Sequence, residues 1–146
     1  GIHVPLIAHW PGTTPAGRVT DQLVDFTDFK ATLAALTQRE GTTVSDGISF
    51  LPALRGEAGP VREWVFCHYD PRWGRIRENR AAFVTDGAFK IYHGGRVFAV
   101  TEDVLEKQPL DHTSVPPEVL AQLQNALEKF PKFPVVETPF GAPLLP

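Results

Sequence analysis

The chain predicts an α+β fold: a small antiparallel sheet, wound as a meander, packed against one late helix. Three observations carry this. Asp86-Gly87 and Gly94-Gly95 separate runs rich in aromatic and β-branched residues, and the glycine at the second position of each pair tolerates the positive φ that tight hairpin turns need. A period-3.6 apolar pattern, Leu120, Leu123, Leu127 and Phe130, follows Pro116-Pro117-Glu118 and stops at Pro131. A sheet this small cannot bury one face by itself, so that helix is its lid.

The meander is expected from Phe83-Val84, then Phe89, Ile91 and Tyr92, then Val97, Phe98 and Val100. Ahead of it, Glu63 to Tyr69 (EWVFCHY) reads as a further strand, and Asp70 to Asn79 as a polar, arginine-rich loop. At the start, Val4 to Trp10 (VPLIAHW), ended by Pro11-Gly12, reads as a buried strand. Thr13 to Gly17 is a loop, and Arg18 to Val24 a second possible strand.

Asp25 to Gln38 reads as a helix with Phe26, Phe29, Leu33 and Leu36 on one face. Asp25, Thr27 and Asp28 suit its first turn, where a side-chain oxygen takes an orphan N–H. Phe50 to Leu54 is expected to form one helical turn within the long connection from Gly41 to Pro60. Lys132 to Pro146 is a proline-rich extended tail. The expected division is therefore 1–60, 61–131 and 132–146.

At 146 residues the chain can bury a real core. A net charge of -3 argues against a nucleic-acid partner, which usually calls for a basic excess. No apolar run reaches the roughly 18 residues of a membrane span, so no membrane partner is expected. The single cysteine, Cys67, excludes an intrachain disulfide. The absence of Met points to a piece of a longer chain or a truncated reading frame.

Chemistry-bearing residues concentrate after Glu63. Cys67 and His68 are adjacent in a strand and so point to opposite faces, which disfavours a thiol–imidazole pair. Cys67 is read as a small core residue. His68 at the strand's end is either a hydrogen-bond donor to a substrate or a rim histidine satisfied by the backbone. Arg72, Arg75, Arg77 and Arg80 sit beside Tyr69 and Trp73, where guanidinium forks suit sulfate, phosphate or carboxylate. A solvated, charged loop is the plainer reading of the same run.

His9 reads as a satisfied core histidine, while His93 in a turn and His112 in a loop read as solvated. The five histidines show no HxxxH or HxH spacing, so no metal site is expected. Asp25 and Asp28 are accounted for by helix capping, Asp103 and Glu106 by a turn. No nucleophile elbow, P-loop or dinucleotide fingerprint is present, and no catalytic residue is assigned.

The run FVTDGAFKIYHGGRVFAVTEDVLEKQPL (83–110) resembles the C-terminal subdomain of the type I sulfatases, the arylsulfatase family of the alkaline-phosphatase superfamily. That family carries a stretch of the kind R-T-D-x-Y-K-L-Y…G-x-L-Y-D-L-x-x-D-P-x-E before its last helix. Thr85, Asp86, Lys90, Tyr92, Phe98, Asp103, Glu106 and Leu110 fall in matching places. GIHVPLIAHWPG and LVDFTDFKATLAAL resemble the segments that precede that subdomain.

The resemblance implies that 1–60 is what remains of a larger α/β sulfatase sheet, and 61–131 its antiparallel C-terminal subdomain. Val4 to Trp10 would there be an inner strand of the large sheet. The family's C/S-x-P-x-R motif, whose Cys or Ser becomes formylglycine, is absent, as are the Asp and Asn ligands to a divalent cation such as Ca²⁺. Both lie upstream in the family, so the chain alone is expected to be inactive and to hold no cofactor. By resemblance, His3 and His68 would bind substrate at the pocket rim; Arg72 and Trp73 join them as expected substrate-binding residues on residue type, since the family pattern fixes none of the loop's arginines.

The partner implied is the missing upstream catalytic part of the same polypeptide, and uncovered edges suggest a homo-oligomer. The intact enzyme would be periplasmic or secreted. A standalone module binding an anionic glycan or a protein is the alternative reading, and a phosphodiesterase or phosphonate hydrolase of the same superfamily is a third.

Overall fold

A computed structural model describes residues 4–37, 46–69 and 81–130. The chain divides into two units, Gly1–Arg62 and Glu63–Pro146.

The first unit is built on helix α1, Phe26–Leu36. Asp25 caps it. Its carboxylate accepts from the Thr27 N–H at 2.9 Å, and its own N–H donates to the Asp28 carboxylate at 2.8 Å, closing a capping box. A short helix α2, Leu51–Arg55, has Pro52 in its first turn, where the missing N–H costs nothing. It ends at Gly56, whose φ of 77° lets Glu57 N–H reach back to Pro52 C=O at 2.9 Å.

Two expectations fail in this unit. Residues 4–10 form no strand, and Val4, Leu6 and Ile7 are exposed. Residues 18–24 form no strand either; a single bridge joins Leu23 to Arg62. An apolar run earns a strand only where a partner backbone accepts its N–H and C=O groups, and among the described residues none does.

The second unit is the predicted meander, extended by the strand ahead of it. Strands β1 (Val65–Tyr69), β2 (Ala81–Thr85), β3 (Phe89–Tyr92) and β4 (Val97–Ala99) pair antiparallel in chain order. The Asp86-Gly87 turn is locked by the Asp86 carboxylate, which accepts from Ala88 N–H at 2.9 Å and Phe89 N–H at 2.7 Å. Gly95 takes φ 84° and donates to Tyr92 C=O at 2.8 Å, closing the second turn.

Alternation gives the sheet two apolar faces. Val84, Ile91 and Val97 share a core with Leu123, Ala126 and Leu127 of helix α3, Pro117–Glu128, which is the expected lid. Trp64 and Phe66 extend this core to Phe130, whose ring stacks on Phe66 with centroids 3.7 Å apart. On the other face Phe83, Tyr92 and Phe98 pack together beside Cys67. The α+β architecture is thus the predicted one.

Candidate functional site

His68 lies near the end of β1, opposite Ala82 of β2, and is exposed. Strand β1 is at the sheet's edge, and Tyr69 beside it is also exposed. Cys67 is directed to the opposite face, half-buried beside Phe83 and Tyr92. The pleat therefore separates thiol from imidazole, as the alternation of strand side chains requires. Of the four expected substrate-binding residues, His68 alone can be placed. His3, Arg72 and Trp73 lie outside the described residues, as do Arg75, Arg77 and Arg80.

Continuing the β2–β3 register past Phe83↔Tyr92 brings His93 opposite Ala82, and the His93 N–H donates to Ala82 C=O at 3.0 Å. His68, Ala82 and His93 therefore form one row across the sheet. His93 is half-buried, with both ring nitrogens shielded from solvent and without a hydrogen-bond partner, rather than solvated as expected. His112 is exposed, and its Nε2 lies 2.7 Å from Gly95 C=O. His9 is exposed, not a core histidine, because residues 4–10 are not buried.

The strongest polar cluster centres on Glu106, expected only to serve a turn. Glu106 is ion-paired to Lys90 and accepts the Tyr92 hydroxyl. Lys90 also sits over the Phe83 ring, 4.5 Å from its centroid. Burial, then the hydrogen bond to Glu106, pushes the Tyr92 phenol well above its ordinary pKa. The phenol therefore stays protonated and donates. Glu106 adopts φ 53°, uncommon for a side-chain-bearing residue, and its two partners hold it there. A lysine between Phe89 and Ile91 in a buried strand was the available signal, since a buried ammonium requires a carboxylate.

A second buried pair joins Asp28 to Arg62. The Arg62 Nε donates to the Asp28 carboxylate at 2.8 Å, a second guanidinium nitrogen also reaches it, and the Ile48 N–H adds a bond at 2.6 Å. Burial alone would raise the Asp28 pKa. The Arg62 hydrogen bond and the backbone donors outweigh it and hold the carboxyl below its ordinary range. Helix capping is thus only part of what Asp28 does. Both pairs hold structure, and neither lies in an open cleft.

An open groove of about 500 Å³ in the first unit is lined by Arg18, Asp21, Gln22, Glu57, Pro60 and Val61 among others; His68 does not line it. Among the described residues no three His, Cys, Asp or Glu side chains converge as metal ligands. The described residues therefore supply no ready set of ligands for a divalent cation.

Among the described residues, His68 is an exposed histidine near the end of an edge strand. Sequence comparison tells what kind of scaffold carries it. Human arylsulfatase D is 43% identical over 72 residues, covering 47% of this chain and 12% of that protein. The ulvan-active sulfatase of Formosa agariphila is 33% identical over 66 residues, 45% of this chain and 13% of its own length. The chain is sulfatase-like.

Solved structures agree on the fold of this sulfatase-like chain. A 2-O GAG sulfatase superposes with a TM-score of 0.51 over 70% of the chain and 23% of its own, at 20% identity. A protein solved with its substrate D-glucosamine-2-N,6-O-disulfate gives a TM-score of 0.55 over 70% of this chain and 22% of its own, at 18% identity. No family model matches the chain. The chain spans only 12% and 13% of the length of these two curated relatives.

Proposed function

We propose that this chain is the C-terminal portion of a sulfatase-like hydrolase that cleaves sulfate monoesters. The observation that carries the reading is a double match. Close sequence identity to sulfatases over part of the chain coincides with a meander-and-helix fold that superposes on sulfatase structures over most of it. In this reading 1–60 belongs to the α/β body, 61–131 is the antiparallel subdomain and 132–146 is a tail.

The chain's own contribution is to recognise substrate. His68 on the rim offers an imidazole N–H to a sulfate oxygen. Arg72, Trp73 and His3 supply a guanidinium fork, a ring for stacking on a sugar or aryl group, and a second imidazole. The sulfated sugar bound by one structural neighbour makes a sulfated glycan a natural substrate class to try first. The upstream part holds formylglycine and Ca²⁺, and it is the partner this chain needs. The parent enzyme is exported to the periplasm or beyond.

The test compares two proteins on a panel of sulfated sugars and a chromogenic aryl sulfate, with Ca²⁺ added. The parent polypeptide is expected to release sulfate and the 146-residue chain to release none. His68→Ala and Arg72→Ala in the parent are expected to shift the order of preference among substrates. Turnover by the isolated chain contradicts the reading, and unchanged preferences remove both residues from the rim.

A further inference from the structure

Helix α1 is inside out. Its buried residues are the polar Asp28 and Thr32, and its apolar stripe faces solvent. Phe26 is 87% exposed and Leu33 59%; Leu36 is partly exposed, as is Phe29, whose ring also meets Phe50 edge-on with centroids 5.3 Å apart. On a 3.6-residue period these four fall within about 80° of arc, a single stripe of the width a core-facing helix presents. Beneath the helix the fold closes on hydrogen bonds. The Thr32 hydroxyl donates to Asp28 C=O at 2.7 Å and accepts from the Phe50 N–H at 3.0 Å.

Among the described residues of this unit, the buried apolar side chains are Phe50 and Leu51. Leu6 and Ile7, in the segment without regular structure, are exposed as well. The second unit, by contrast, buries an apolar core between its sheet and α3. Contiguous exposed apolar surface on one element is the mark of an interface.

We propose that the Phe26–Phe29–Leu33–Leu36 stripe of α1 docks onto the upstream catalytic part of the same polypeptide. This rests on the reading of the chain as the C-terminal portion of a longer hydrolase. Two observations select that occupant over a second copy. The curated relatives matched are far longer, this chain spanning 12% and 13% of them, so most of such a polypeptide is available to cover the stripe. A two-fold contact through the stripe alone is too small. The helix of 11 residues is about 16 Å long, and a stable interface buries roughly 800 Å² per partner.

The experiment is hydroxyl-radical footprinting of Phe26, read by mass spectrometry, in the 146-residue chain and in the parent polypeptide. Oxidation is expected to be several-fold slower in the parent, with protection unchanged on dilution. Leu33→Asp gives an independent readout. It is expected to lower the melting midpoint of the parent, while leaving that of the isolated chain unchanged. Val104→Asp, at an exposed position of the second unit, is the control and is expected to be silent in both.

Equal oxidation of Phe26 in both proteins, or a parent that tolerates Leu33→Asp, overturns the inference while leaving the hydrolase reading intact. Protection lost on dilution assigns the stripe to a second copy and also overturns it. A reading frame with no upstream catalytic part overturns the hydrolase reading itself.

Discussion

Asp28 and Arg62, 34 residues apart in the chain, form a buried ion pair that ties helix α1 to the end of its unit. The same carboxylate accepts from the backbone at Asp25 and Ile48, so one side chain joins the cap, the following connection and residue 62. Apolar burial in this unit is slight. The pair is therefore the principal internal tie. Removing one partner strands the other charge in a dry site, which typically costs about 3–5 kcal/mol. Arg62→Ala is expected to lower amide protection at Ile48 and Phe50 by an amount in that range. The double substitution Asp28→Leu/Arg62→Met should recover part of the loss at Phe50, whose acceptor is Thr32, but not at Ile48, whose acceptor it removes. Native exchange of those two amides measures both.

The same pair sets an acid limit. Asp28 has a folded pKa below its unfolded value, so it binds protons less readily when folded. Its contribution is present above the unfolded pKa of about 3.9 and is lost as pH falls through the folded value. Protection at Ile48 is expected to be flat from neutral pH to near pH 4 by this reasoning, then to fall. In Asp28→Asn that acid-side loss should disappear, at lower protection throughout.

Lys90 and Glu106 make the corresponding tie in the second unit, with Tyr92 as third member. Lys90→Met leaves a half-buried carboxylate with only the Tyr92 hydroxyl as partner. A loss of about 3 kcal/mol in urea unfolding is expected. Tyr92→Phe removes one hydrogen bond and is expected to cost about 1–2 kcal/mol. The two losses should not add, since both act through the Glu106 carboxylate.

Two leucines separate the units' logic. Leu123 is fully buried against the sheet, and Leu123→Ala is expected to cost about 2–5 kcal/mol through lost burial and the cavity left behind. Leu33 faces solvent, and Leu33→Ala in the isolated chain should stay within about 0.5 kcal/mol. Urea unfolding of both variants checks the contrast.

The second unit was legible because its signals are local. Asp86-Gly87 and Gly94-Gly95 dictate their turns from two residues each, and Leu120, Leu123 and Leu127 mark a buried face by spacing alone. What the sequence hid was long-range. Nothing near Lys90 names Glu106 as its partner, and nothing near Asp28 names Arg62. The α1 stripe was legible as a face but not as an exposed one, because periodicity says which residues share a side, not what lies opposite. Val4 to Trp10 has a strand's composition without a neighbouring strand to pair it. Of the proposed substrate-binding residues, Arg72 and Trp73 were readable only as composition, and His68 is the one that lies among the described residues.

In the proposed function this chain completes a hydrolase whose reacting group lies upstream. Peptide mass spectrometry of the purified parent polypeptide tests it most directly. A peptide containing C/S-x-P-x-R in which the Cys or Ser has become formylglycine is expected. A parent polypeptide without that motif, or with the residue unconverted in protein that still releases sulfate, contradicts it.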